Sequence, residues 1–199
     1  MESPTTDEPN DDAWRTSGDW TMPLTHLAVE LELFLATARR PDVPPAPTRC
    51  EPWTGDQLVA HVAATFQRFN EMLTQSRDGD LSAPFERDGL HQANQEAVET
   101  FSQDPPAACE QAARKFFRLI EDPNELMAHQ LGPIPVAVQA AFGLSELMLH
   151  HHDLLSAVGE FYSPSPGAPE AVVRAWTSAF HLPQTAKVWN TLLDITDRA

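Results

Sequence analysis

From Val136 to Val158 the chain runs without a proline through mostly apolar residues, bracketed by Gly132-Pro133-Ile134-Pro135 and by Gly159. A stretch of that length and composition reads as one long helix. Leu144, Leu147, Met148, Leu149, Leu154, Leu155 and Val158 crowd both sides of its polar residues. The helix is therefore largely buried, and the polar residues Glu146, His150, His151, His152 and Asp153 need partners.

Three further long helices are legible. From Thr21 to Arg40, Leu24, Leu27, Leu31, Phe34, Leu35 and Ala38 recur at three- and four-residue steps. Pro41 to Pro52 then form a long proline-broken connection. Thr54-Gly55-Asp56-Gln57 reads as a capping box opening a helix to about Ser76, with Leu58, Val62, Phe66, Phe69 and Leu73 facing inward. Asp78-Gly79-Asp80 ends it, and a short helix follows over roughly Leu90 to Phe101. Pro105-Pro106 starts the next long helix, to Ile120, with Ala108, Ala112, Phe116 and Leu119 inside. Asp122-Pro123 and the Gly132–Pro135 stretch mark a second long connection. Beyond residues 163–167, shorter helices are expected over Ala168 to Phe180 and Thr185 to Ile195. No convincing strand pair, repeat or glycine-rich phosphate loop stands out. Four long helices with two long crossovers predict an all-α bundle that is not simply up-down-up-down. The division expected is an acidic, disordered tail over residues 1–19, a bundle over 20–160 and a helical extension over 161–199.

The formal net charge of −16, with only 13 Lys plus Arg, argues against nucleic acid as a partner, because phosphate binding needs a clustered basic surface. No apolar run approaches the roughly 18–20 residues of a membrane span, and the acidic start lacks the features of a signal peptide. Cys50 and Cys109 stand far apart without CxxC spacing, which suggests neither a disulfide framework nor a zinc ribbon. A reducing cytoplasm is the expected setting.

On a helix, residues i and i+4 lie on one face about 5–6 Å apart at Cβ. Glu146 and His150 thus project side by side, either as a solvated face or as half of a tetrahedral site for a divalent metal. His61, among Leu58, Val62 and Phe66, is the candidate third ligand, or a core histidine with one hydrogen bond. His151 and His152 point roughly 100° and 200° around the helix from His150 and do not share its site easily. His26, His91, His129 and His181 lack a carboxylate or second histidine at helical spacing and read as structural or exposed. Asp153, three residues after His150, either orients that imidazole, meets substrate or faces solvent. Arg68, seven residues after His61, is placed to anchor a substrate carboxylate or to make a surface ion pair.

Two motifs carry a family resemblance. Cys50-Glu51-Pro52-Trp53-Thr54, followed by Asp56-Gln57-Leu58-Val59-Ala60-His61-Val62-Ala63, resembles the second-helix motif of the mycothiol-dependent maleylpyruvate isomerase N-terminal domain family, within the DinB-like metalloprotein superfamily. Glu146-Leu147-Met148-Leu149-His150, followed by Asp153-Leu154, resembles its fourth-helix motif. The resemblance covers roughly residues 21 to 160 and implies a DinB-like four-helix bundle. It also implies a divalent metal, usually zinc with nickel as another option, held by His61, Glu146 and His150, and mycothiol as cofactor or co-substrate. The family often has Trp where His152 stands, a change that either reshapes the pocket or supplies a proton carrier. The isomerase itself has a further C-terminal domain. About 40 residues follow Gly159, fewer than that domain needs, which counts against the isomerisation itself.

Two histidines and a carboxylate leave a metal position open for water or thiolate. A bound thiol there becomes a nucleophile at neutral pH. It can add to a conjugated double bond and leave after rotation, or displace a leaving group. The leading expectation is a metal- and mycothiol-dependent enzyme, an isomerase or S-transferase acting on a small electrophile. The alternatives are a metal enzyme using water and a non-catalytic small-molecule-binding module.

Overall fold

The computed structural model describes residues 21–84, 90–130, 132–180, 188–196 and 198. The expected acidic tail, His181 and the start expected for the last helix at Thr185 lie outside them. The helices are α1 (Thr21–Ala38), α2 (Gly55–Arg77), α3 (Leu90–Thr100), α4 (Pro105–Leu119), α5 (Val136–Ala157), α6 (Ala168–Phe180) and α7 (Val188–Ile195). Where the described residues test them, these bounds fall within two residues of the expected ones. One expectation fails: a two-residue antiparallel pair, β1 (Leu126–Met127) with β2 (Ile134–Pro135), lies in the α4–α5 connection. It is too short to show any alternation in the sequence. Its role is to start α5, because the N–H groups of Val136 and Ala137 donate to the carbonyls of Glu125 and Pro123 at 2.8 and 2.9 Å.

Helices α1, α5, α2 and α4 form a ring in which each packs on the next, leaving α1 diagonal to α2 and α4 diagonal to α5. The proline-rich connections 39–54 and 120–135 therefore each cross a diagonal, which explains their length. Helix α3 lies on α2, and α6 covers α5 and α1. Phe34, Phe66, Phe116, Leu58, Leu73, Leu144 and Leu147 are fully buried between the helices. Gly143 sets the closest approach of α5 to α2, since a Cβ there would lie 3.0 Å from the Phe66 ring. No described helix is long and apolar enough to cross a membrane.

Away from Glu146 and His150, α5 makes a second buried polar cluster. His151 bonds Thr37 Oγ1 of α1 through Nε2 at 2.8 Å and packs on Tyr162 with ring centroids 4.4 Å apart. Tyr162 and the Ser165 N–H both donate to Glu30, which is fully buried on α1. Burial pushes the His151 pKa down to about 4. The unfolded chain then binds more protons than the folded one between pH 4 and about 6.5, so stability must rise with pH across that window. Unfolding free energy measured by urea titration is expected to fall by up to about 3 kcal/mol from pH 7 to pH 4 on account of this residue. His151→Gln should remove that part of the slope, and an unchanged slope would contradict the assignment.

Candidate metal centre

The middle of α5 and the first half of α2 face one another at the site. His150 and Glu146 stand one above the other on α5, with His150 Nε2 3.2 Å from Glu146 Oε2. From α2, His61 Nε2 reaches within 3.6 Å of the same oxygen. The three donor atoms all lie within 4.8 Å of one another. Ligand arms of about 2.1 Å at a tetrahedral angle place donors about 3.4 Å apart, so the spacing fits a small divalent cation. Both imidazoles are nine-tenths buried, whereas Glu146 keeps about a third of its side chain exposed (32%) and marks the open side.

Each imidazole is held from behind. Trp53 stacks on His61 with ring centroids 4.8 Å apart at 29°. The segment carrying Trp53 is fixed by Thr48 N–H and Oγ1, which donate to the Trp53 carbonyl. Gly55 follows because a Cβ there would lie 2.1 Å from the Val43 carbonyl oxygen. Gln57 Oε1 accepts from Thr54 N–H at 3.0 Å, the closure expected at the head of α2. Behind His150, Nδ1 lies 3.0 Å from Oδ2 of Asp153, which is fully buried. A carboxylate on one ring nitrogen leaves the other, Nε2, facing Glu146 and His61.

Electrostatics follow this arrangement. Burial lowers the His61 pKa despite the Glu146 carboxylate. At His150 burial acts the same way, but the Asp153 and Glu146 carboxylates outweigh it and raise the pKa well above its usual value. Burial would raise Glu146, yet His150 and His61 hold it far below the ordinary carboxylate range. Arg68 donates to Asn94 of α3 at 2.9 Å. Burial lowers its pKa and the nearby Glu146 opposes that shift, so its charge is felt at the centre.

The structure thus brings together His61, Glu146, His150 and Asp153, with Arg68 at the margin. His151 turns to α1, as the helical geometry requires, whereas His152 faces Trp189 of α7 with Nδ1 3.7 Å from Asp153 Oδ1. His129 stacks on Phe142 at 5.2 Å. Two participants went unassigned in the sequence. Arg198 clasps Asp153 with three bonds of 2.9 to 3.1 Å. Cys50 donates its thiol to Asp153 Oδ2 at 3.2 Å. The only sequence signal for Cys50 was its place in the motif beginning the 50–54 segment; Arg198 gave none.

Fold and side chains together give a four-helix bundle with a His/Glu/His cluster whose donor spacing fits a small divalent cation. The chain belongs to the mycothiol maleylpyruvate isomerase N-terminal domain family, whose model matches residues 24–155. Among solved structures it is similar to the crystal structure of the mycothiol-dependent maleylpyruvate isomerase, at TM-score 0.62 and 13% identity over 83% of this chain and 70% of that one. A histidine-to-alanine mutant of that isomerase matches equally, at TM-score 0.62 and 14% identity over the same shares. No curated protein matches the sequence significantly.

Proposed function

We propose that this chain is a divalent-metal-dependent enzyme that uses mycothiol to act on a small electrophilic substrate, by isomerisation or S-transfer. The observation that carries the reading is the convergence of His61, Glu146 and His150 donor atoms within 4.8 Å in a member of this family. Those three residues would hold the metal, zinc or nickel. A metal so held lowers the pKa of a bound thiol and polarises a substrate carbonyl. Asp153 keeps the His150 ring in the orientation that presents Nε2. Trp53 covers His61 and narrows water's access to that ring. Arg68, partly buried beside the open side of Glu146, supplies the charge that would anchor a substrate carboxylate. Cys50 and Cys109 are both free thiols, in keeping with a reducing cytoplasm.

The test uses full-length protein purified without a histidine tag. Calorimetric titration with mycothiol should show binding to metal-loaded protein and none to chelator-stripped protein. Equal binding to both would place the thiol away from the centre, and no binding to either would remove the thiol from the reading. Maleylpyruvate is the first substrate to assay. With any substrate that carries a carboxylate, Arg68→Ala should raise KM about tenfold, about 1.4 kcal/mol of binding, with kcat little changed. An unchanged KM would relegate Arg68 to holding Asn94 and α3.

A further inference from the structure

The His150 ring has a second set of donors on its other side. Its Nδ1 lies 3.0 Å from Asp153 Oδ2, and Cys50 Sγ lies 3.2 Å from that same oxygen. The thiol, the imidazole nitrogen and the carboxylate all fall within 4.8 Å of one another. These separations are again close to the roughly 3.4 Å between donors around a tetrahedral ion. The residues come from the loop ahead of α2 and from successive turns of α5, so no single element's periodicity requires them to meet. A cationic group already occupies the space beside them: Arg198 Nη2 is 2.9 Å from Asp153 Oδ2 and 3.8 Å from Cys50 Sγ. A fully buried carboxylate demands such a positive partner.

We propose that Cys50, His150 and Asp153 form a second metal site, selective for soft thiophilic cations such as Cd2+ or Cu+, which the Arg198 guanidinium keeps closed. The thiol sets the selectivity, because sulfur ligands favour soft ions over the harder ones that suit a His/Glu/His set. Cys50 is only partly buried, which gives an ion a way in from solvent. On binding, Cys50 releases its proton to solvent as the sulfur–metal bond forms. His150 releases its Nδ1 proton to solvent and keeps the one on Nε2, and Arg198 withdraws from Asp153. A neutral imidazole has one lone pair, so His150 serves one set or the other. Soft cations therefore compete with occupation of the His61–Glu146–His150 set. The site stands on its own donors and does not depend on mycothiol use.

Cadmium titration of the chelator-stripped full-length protein, followed by the ultraviolet thiolate-to-cadmium charge-transfer band, tests the proposal. Only two cysteines exist in the chain. Cys109 is fully enclosed on α4, with its thiol pushed up to about 12 by burial, so a band reports Cys50. The expected result is one equivalent of Cd2+ with a thiolate band that Cys50→Ser abolishes and His61→Ala retains. Arg198→Ala should tighten Cd2+ binding by removing the competing cation. Cadmium bound without a band, a band surviving in Cys50→Ser, or weaker binding by Arg198→Ala would each overturn the proposal. A failure of His61→Ala to lose zinc or nickel bears on the other donor set alone.

Discussion

Alanine at His61, Glu146 or His150 is expected to abolish stoichiometric divalent metal in each case while leaving helical content near that of the parent. The donor atoms sit together within 4.8 Å, and two remaining ligands hold an ion far less well than three. The fold does not depend on them. Phe34, Phe66, Phe116, Leu144 and Leu147 close the core without any polar help, unlike a zinc finger, in which metal binding supplies the folding free energy. The losses should be non-additive, because any one of them already disables the set. His151→Ala should keep the metal, since that ring faces Thr37 and Phe34 on α1. Atomic emission on zinc- or nickel-supplied protein, with circular dichroism on the same samples, decides. Full metal in His61→Ala would remove α2 from the ligand set, and unfolding of all three variants would make the metal structural.

Asp153→Ala is expected to be the most destabilising single change at the centre. It would leave a largely buried guanidinium and the His150 ring nitrogen without their acceptor. Breaking a buried pair from one side costs about 3–5 kcal/mol, discounted to about 3 kcal/mol for the 15% exposure of Arg198. Metal affinity should fall as well, by about 10- to 100-fold, as the imidazole loses its orientation. Although burial would raise the Asp153 pKa, His150 and Arg198 hold it well below the usual carboxylate value. A carboxylate with a depressed folded pKa stabilises fully above its unfolded value near 3.9, and that contribution fades as pH falls toward the folded value. The difference between parent and Asp153→Ala should therefore be largest and flat near pH 5 to 6, shrink below about pH 4, and decline slowly above pH 6.5 as the His150 charge that Asp153 supports is lost. Chemical denaturation across that range checks it; a difference under about 1 kcal/mol at pH 7 would mean that the clasp is too wet to matter.

The main features of this fold can be read along the chain because helical period and helix punctuation are local signals. Leu58, Val62, Phe66, Phe69 and Leu73 mark a buried face by their spacing, and all five are buried. Prolines clustered in the connections likewise announce the two crossings. The pairing of Glu146 with His150 is legible for the same reason, being one helical turn. What remained hidden is non-local. Arg198 reaches Asp153 across 45 residues of chain, from beyond α7, where no period points inward. The Trp53–His61 stack depends on a loop whose shape is set by Thr48, and a bond from a side chain to a neighbouring carbonyl leaves no recurrent pattern. Asp153 stood open between three roles because two of its partners, Arg198 and Cys50, lie outside its own helix.

Gly143 has no chemistry, yet it governs the gauge of the centre. A Cβ on Gly143 would lie 3.0 Å from the Phe66 ring, and Glu146 and His150 stand one and two turns further along the same helix. The span from α5 to His61 on α2 is therefore fixed by how closely a ring can approach a bare backbone, like the jaws of a caliper set upstream of the object they measure. A side chain at that position would press on the Phe66 and Phe69 rings by a few tenths of an ångström, and that pressure is passed to α2 and the donor it carries. The spacing of the three donors is thus written into the packing of a glycine against a phenylalanine, a place where no donor stands.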